Sequence, residues 1–278
     1  MPFETLISAP ELDALRREPG ALCIVDCRFD LANPEAGATL WRESHLPNAV
    51  YAHLDNDLSS PIVPGETGRH PLPDPDALIA WLRSQGVSDD TQIVAYDDCN
   101  GGMAARLWWL SRWMGHAACA VLDGGMQAWE ARYPLTDRKP TPKPGGNLSR
   151  QSSLLACLST ADVVESEDLI LVDARTLARF RGDEEPIDPV AGHIPGAICL
   201  PLIDNTGENG HFRSQTQLRQ RYTDALAPYA DKTPVMYCGS GVTAAHNVLA
   251  MCHAGMPAPA LYADSWSGWI TDPHRPLA

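Results

Sequence analysis

The chain has 278 residues, 44% of them hydrophobic and 20% charged, and a formal net charge of -14 at pH 7. This is the composition of a globular protein with room for two domains of ordinary size, and the acidic balance argues against a nucleic-acid or anionic-membrane partner. Met1 to Pro10 has neither a basic segment nor an apolar run, and no stretch approaches the roughly 18 apolar residues of a membrane span, so the expected address is the cytoplasm. The eight cysteines (Cys23, Cys27, Cys99, Cys119, Cys157, Cys199, Cys238 and Cys252) are scattered and form no C-x-x-C pair. Reduced thiols are therefore expected, with no disulfide scaffold and no metal site.

From the N-terminus, Ser8-Ala9-Pro10-Glu11 starts a short helix, Leu22 to Val25 is a strand, and Ala49 to Ala52 is another. Ser59 to Pro73, rich in Pro and Gly, is a long surface loop of the kind that lines sites. Asp74-Pro75-Asp76 caps a helix running to Gly86, with Leu78, Ile79, Trp81 and Leu82 on its apolar face. Strand Gln92 to Tyr96, a helix from about Gly102 to Met114, strand Cys119 to Leu122 and helix Met126 to Arg132 follow. Lys139 to Asn147, with its prolines and glycines, has the composition of a linker.

Beyond that linker the same plan recurs, from about Thr160 to Trp269. Val25-Asp26-Cys27-Arg28 returns as Val172-Asp173-Ala174-Arg175, and His45-Leu46-Pro47-Asn48-Ala49 as His193-Ile194-Pro195-Gly196-Ala197. Ile93-Val94-Ala95-Tyr96-Asp97 matches Pro234-Val235-Met236-Tyr237-Cys238, and Leu122-Asp123-Gly124-Gly125 up to Trp129 matches Tyr262-Ala263-Asp264-Ser265 up to Trp269. Four segments in one order, offset by 140 to 148 residues, describe a tandem duplication. Each copy alternates short apolar strands with helices, which predicts an α/β fold with a parallel sheet covered by helices on both faces. The expected domains are 1–138, a linker at 139–152, and 153–278.

The chemistry converges on Thr233 to Gly255. Val235-Met236-Tyr237 ends a buried strand, Cys238-Gly239-Ser240-Gly241 is a tight turn, and Val242 to Cys252 is a helix closed by Gly255. The first turn of that helix offers amides without intrahelical partners and the positive end of the peptide dipoles. A negative sulfur at Cys238 is stabilised there by about 0.3–2 kcal/mol from the dipole and about 1.5–3 kcal/mol from each charge-assisted hydrogen bond. No other cysteine has that context.

The loop C-G-S-G-V-T-A, with the paired DxR and H-[IL]-P-x-A motifs, resembles the tandem-domain rhodanese-type sulfurtransferases, and most of all their 3-mercaptopyruvate branch. The resemblance runs from Leu6 to Trp269 and implies two rhodanese-like domains, the first catalytically silent with Asp97 at the cysteine position. It implies that Cys238 takes a sulfane sulfur from a donor, becomes a persulfide, and passes the sulfur to cyanide or to a thiol such as thioredoxin or glutathione. No metal or organic cofactor is implied. Ser240 joins Cys238 in the reacting loop, and Gly239, Gly241, Val242 and Thr243 complete the cradle that would hold substrate. Arg179 falls on a substrate-binding position of the family. The neutral Gly239-Ser240 pair, where the thiosulfate branch resembles C-R-K-G-V-T, favours a monoanionic donor. Matching the branch's H-x-L-P pattern gives His70, with Asp55 or Asp57 upstream and Ser240 as third member of a Ser-His-Asp-like set. The branch's second arginine, in an E-P-R triplet, has no counterpart: Glu185-Pro186 is followed by Ile187-Asp188, leaving Arg69 or Arg181 as candidates to replace it.

His45 and His193 recur in both copies, the silent one included, and so belong to structure, as do Asp26 and Asp173. Trp108, Trp109, Trp113, Trp129, Trp266 and Trp269 read as packing. Cys99, two residues past Asp97, is an accessory thiol or an inert loop residue. Three alternatives stand beside this reading. A cysteine phosphatase needs C-x5-R, but the loop is short for phosphate and Ala244 stands where the arginine belongs. A non-catalytic redox or regulatory module remains, as does a thiosulfate-preferring enzyme.

Overall fold

Two sets of five short strands carry the chain, and the computed structural model, which describes residues 2–278, gives both sets the same order. In the first, β1 (Leu6–Ile7) leads into α1 (Ala9–Leu15), β2 (Leu22–Asp26), α2 (Ala36–Glu43), β3 (Val50–Tyr51), α3 (Pro75–Ser84), β4 (Gln92–Tyr96), α4 (Ala104–Trp113), β5 (Cys119–Leu122) and α5 (Gly125–Glu130). In the second, β6 (Cys157–Leu158), α6 (Thr160–Glu165), β7 (Leu169–Asp173), α7 (Leu177–Arg181), β8 (Ile198–Cys199), α8 (Gln215–Leu226), β9 (Thr233–Tyr237), α9 (Ala244–His253), β10 (Ala260–Tyr262) and α10 (Ser265–Trp269) follow the same plan. The sheet orders are β1-β5-β4-β2-β3 and β6-β10-β9-β7-β8, and the strands of each sheet are parallel. The expected α/β fold, two halves each built on a parallel sheet, is what the chain adopts.

Local chemistry explains the boundaries. Ser8 caps α1 in a reciprocal box with Glu11, and Asp74 caps α3 by accepting from the amides of Asp76 and Ala77, with Pro75 opening the helix. β4 is buried at all five positions, as a central parallel strand with helices on both faces must be. Leu78, Ile79 and Leu82 turn α3 onto its sheet, while Trp81 stays half-buried. Trp108, Trp109, Trp129 and Trp266 are fully enclosed and Trp269 nearly so, but Trp113 is half-buried.

The repeated DxR motif is an internal tie. Asp26 and Arg28 pair at 2.6 Å with the guanidinium also reaching the Ser44 carbonyl, and Asp173 and Arg175 pair at 2.7 Å with a second bond to the Gly192 carbonyl. Each carboxylate also accepts from the amide of its own arginine, at 3.0 and 2.9 Å. Removing one partner of such a buried pair strands a charge, at a cost of about 3–5 kcal/mol. His45 and His193 hold the approach to β3 and β8 through backbone carbonyls, Nδ1 of His45 to Trp41 and Nδ1 of His193 to Phe180.

The two compact units differ from a division at the linker. The first holds the chain up to Ser60, Pro73–Leu154 and Glu208–His211; the second holds Pro61–Leu72, Leu155–Gly207 and Phe212–Ala278. The proline-rich stretch packs on the first unit through Arg83 Nε to the Leu148 carbonyl (2.8 Å) and the Ser149 amide to Asp89 (2.7 Å). No cysteine is joined in a disulfide, and no helix is long and apolar enough to cross a membrane among the described residues.

Candidate active site

In an open parallel sheet, sites form where the middle strands end and chain passes into helix N-termini. β4 and β9 are the middle strands, and each ends in a tyrosine followed by the residue of interest: Tyr96-Asp97 and Tyr237-Cys238. The Asp97 carboxylate displays what the position provides. Its Oδ1 accepts from the amides of Cys99 (3.0 Å) and Gly101 (2.8 Å), and its Oδ2 from those of Met103 and Ala104 (both 2.8 Å). Four backbone N–H groups close on one anion, with the start of α4 among them.

Cys238 occupies the matching place before α9 and is 2% exposed. Its amide donates to Ser265 Oγ (3.1 Å), its carbonyl accepts from Trp266 (3.0 Å), and the Gly239 carbonyl accepts from Ser267 (2.8 Å), so the start of α10 pins the loop. Ser265 adopts φ 54°, a strained region for a side chain. Its hydroxyl also donates to the Tyr262 carbonyl at 3.0 Å. Gly241 has φ +74°, and a Cβ there would run into the Ala263 carbonyl, so only glycine fits. Val242 is buried and Thr243 half-buried, at the threshold of α9. Among the other cysteines, burial pushes Cys23 up to about 11 and Cys119 to about 12, holding them as neutral thiols at pH 7.

The loop ahead of α3 supplies the other wall. His70, 5% exposed, sits with Nδ1 at 2.7 Å from Ser240 Oγ. Arg69 is fastened by its amide to Ser267 Oγ (3.0 Å), and its guanidinium pairs with Asp188. Burial lowers the Arg69 guanidinium from its ordinary value. Asp57, one of the two upstream carboxylates, accepts from the His53 amide at 2.7 Å.

Arg179 lies on α7, whose first turn is capped by Thr176 Oγ1 accepting from the Arg179 amide. Its side chain is 14% exposed, which rules out a solvated surface residue. Nε and Nη2 fork onto Glu185 at 3.1 and 2.7 Å, and Nη2 reaches Asp188 at 2.9 Å. Glu185 is itself oriented by the amides of Ile187 and Asp188 and by Arg175 at 3.3 Å. Ile187, at the position of the absent second arginine, is 40% exposed. Arg181 is exposed, whereas an ideal Cβ on Gly239 would lie 2.9 Å from Arg69 Nη2 and 3.5 Å from Arg179 Nη1. The structure thus brings Cys238, Gly239, Ser240, His70, Arg69 and Arg179 together, and leaves Arg181 outside.

Ser265, Glu185 and Asp188 do not stand out in the sequence as site residues. The signal for Ser265 was a serine aligned with Gly125, whose φ is +57°. Asp188 carried none beyond adjacency to the missing arginine.

The rhodanese-like domain model matches residues 8–132 and again 159–272. The chain belongs to the rhodanese-like domain family. It is 47% identical over 277 residues to a probable 3-mercaptopyruvate sulfurtransferase of Pseudomonas aeruginosa, covering 98% of this chain and 97% of that one. It is 37% identical to a putative thiosulfate sulfurtransferase of Mycobacterium tuberculosis, over 99% of this chain and 96% of that one. The 3-mercaptopyruvate sulfurtransferase from Leishmania major superposes with a TM-score of 0.83 at 30% identity, covering 97% of this chain and 76% of that one. A phosphatase reading finds no support in the loop, where Ala244 opens α9 in place of an arginine.

Proposed function

We propose that this rhodanese-like chain is a sulfurtransferase that moves a sulfane sulfur from 3-mercaptopyruvate to a thiol or cyanide through a persulfide on Cys238. The observation that carries the reading is Cys238 in the place where the other repeat holds a carboxylate on four amides. The same cradle suits a thiolate, and then a persulfide anion. In the first half-reaction Cys238 Sγ attacks the donor sulfur. The carbon–sulfur bond of mercaptopyruvate breaks, its electron pair stays on carbon as the enolate, and protonation there gives pyruvate. In the second, an acceptor thiolate attacks the outer sulfur and the electron pair of the S–S bond returns to Cys238. A dithiol acceptor such as thioredoxin then closes to its disulfide and releases sulfide.

Arg179 is the ligand for the donor carboxylate through Nη1, the guanidinium nitrogen that Glu185 and Asp188 leave unengaged. Ser240, with His70 behind it, is a donor to the reacting sulfur or to the carbonyl oxygen. Gly239, Gly241, Val242 and Thr243 shape the cradle. A thiosulfate-preferring enzyme is the second reading, favoured by the thiosulfate name of one relative and opposed by the neutral Gly239-Ser240 pair.

The test is a mass measurement with kinetics beside it. Exposure to 3-mercaptopyruvate should add one sulfur, about 32 Da, to the peptide carrying Cys238, with pyruvate formed in equal amount. A Cys238→Ser variant that still produced pyruvate and sulfide would sink the proposal. Higher kcat/KM for thiosulfate than for mercaptopyruvate would select the second reading.

A further inference from the structure

We propose that Arg69 is the second arm of the donor-binding clamp, supplied by the loop before α3 instead of by the segment around Ile187, and that Asp188 is the strut that sets the two arms side by side. For the identity of the anion this rests on the sulfurtransferase reading; for the existence of an anion site it rests on geometry alone.

Asp188 ties the two arms together. Its side chain is 1% exposed, and it takes Arg69 Nη1 on Oδ1 and Arg179 Nη2 on Oδ2. One carboxylate thus spends its two oxygens on two guanidiniums and fixes the spacing between them. Glu185 takes Nε and the same Nη2 of Arg179. A Cβ on Gly239 would meet Arg69 Nη2 at 2.9 Å and both Nη1 and Nη2 of Arg179 at 3.5 Å, and of these three Arg69 Nη2 and Arg179 Nη1 are the ones that Asp188 and Glu185 do not take. The residue directly after the cysteine is therefore roofed by two cationic donors from different parts of the chain. A side chain at 239 and Arg69 in this position exclude each other, which gives Gly239 a reason beyond turn geometry.

The charge count says which anion suits the clamp. Three arginines, Arg69, Arg175 and Arg179, meet three buried carboxylates, Asp173, Asp188 and Glu185. The assembly is balanced before donor arrives, so two N–H donors are offered with no surplus positive charge. A monoanionic carboxylate satisfies both donors and adds one uncompensated charge; a dianion such as thiosulfate adds two, and so is disfavoured more. Burial lowers the Arg69 guanidinium from its ordinary value, and each polar contact it makes to a bound anion is stronger for the loss of water.

The experiment separates the clamp from the chemistry by measuring binding of 3-mercaptopropionate, which keeps the thiol and carboxylate but lacks the carbonyl that drives sulfur release. Calorimetry on the full chain needs no turnover, so the outcome stands even if sulfur transfer were absent. Arg69→Ala should weaken 3-mercaptopropionate binding by roughly 10- to 100-fold. In turnover the same variant should raise KM for mercaptopyruvate far more than it lowers kcat. Arg69→Lys, which keeps the charge but loses the planar fork and fills the same volume, should fall between the two. Thermal unfolding within a few degrees of the parent shows that the variants are folded, and Arg69→Lys serves as the reporter if the alanine variant is not. Unchanged 3-mercaptopropionate affinity in a folded Arg69 variant overturns the clamp. A wild-type chain that binds 3-mercaptopropionate in an Arg69-dependent way yet gains no sulfur on Cys238 overturns the activity and leaves the clamp standing.

Discussion

The loop after β4 and the loop after β9 are the same device in two states of completion. In the first, Asp97 brings its own negative charge, and four amides close on it permanently. In the second, a thiol stands at the same point, the loop before α9 is one residue shorter, and arginines gather over Gly239. The first loop closes four amides on an anion at the end of its middle strand, and the second puts a sulfur at the same place. Supplying the anion covalently gives a scaffold, and supplying it as a sulfur that can come and go gives a reaction. The difference also shows in what pins each loop: Gly125 accepts its left-handed φ at no steric cost, while Ser265 adopts the same φ with a side chain and uses that side chain to hold the Cys238 amide.

The comparison breaks most sharply at the two residues themselves. Cys238→Ser should lose roughly 10⁴-fold or more of sulfur transfer with either donor, measured as pyruvate or thiocyanate formed. Asp97→Cys in that background should restore none of it, since its loop is one residue longer and Asp98 stands where Gly239 follows the cysteine; recovered turnover would show that the cradle alone suffices. Asp97→Ala tests the opposite half. Stripping the carboxylate from four buried amides should cost about 3 kcal/mol or more, seen as an earlier urea transition, and an unshifted midpoint would mean that water replaces the carboxylate without penalty.

Smaller effects should come from the shape of the reacting loop. Gly241→Ala forces a side chain into φ +74° against the Ala263 carbonyl and should cost about 2–3 kcal/mol of stability, with activity falling alongside; an alanine variant of parental stability would contradict the close approach. His70→Gln should lower kcat by about 10²-fold if the pair with Ser240 works on the reacting sulfur, and Ser240→Ala should match it without compounding it. Additive losses in the double variant would separate the two side chains. Smallest is Ser265→Ala, which removes the acceptor for the Cys238 amide and should cost about 1 kcal/mol, a roughly fivefold fall in kcat/KM that rescue by threonine would attribute to the hydroxyl.

Much of the fold was legible because duplication prints the same pattern twice. β4 and β5 carry five and four consecutive buried residues, and the sequence bounds them to the residue. The elements that escaped notice lack local signals. β1 and β6 are two residues long, and only their pairing with β5 and β10 makes them strands. α2 has Glu35 as its N-cap with no side-chain cap bond, so nothing in Ala36 to Glu43 announces a start. In the site, Cys238 and Gly241 follow from turn chemistry, and Arg179 from the resemblance. Arg69 could be named as a candidate but not chosen over Arg181, because the loop 61–72 packs with the second unit although its sequence neighbours belong to the first. Asp188 was invisible for a related reason: a carboxylate earns its place here by touching two arginines that lie 110 residues apart in sequence.

The 2% exposure of Cys238 has a consequence for the order of events. A resting thiol so deeply set presents little to a large reagent, whether an oxidant-bearing protein or a bulky maleimide. Adding one sulfur places the atom an acceptor would attack about 2 Å beyond Sγ, the length of a sulfur–sulfur bond. The loaded enzyme then offers a contact that the empty one withholds. Loading would itself be the signal that an acceptor can read, and a protein acceptor should form its complex faster with the persulfide form than with the free thiol.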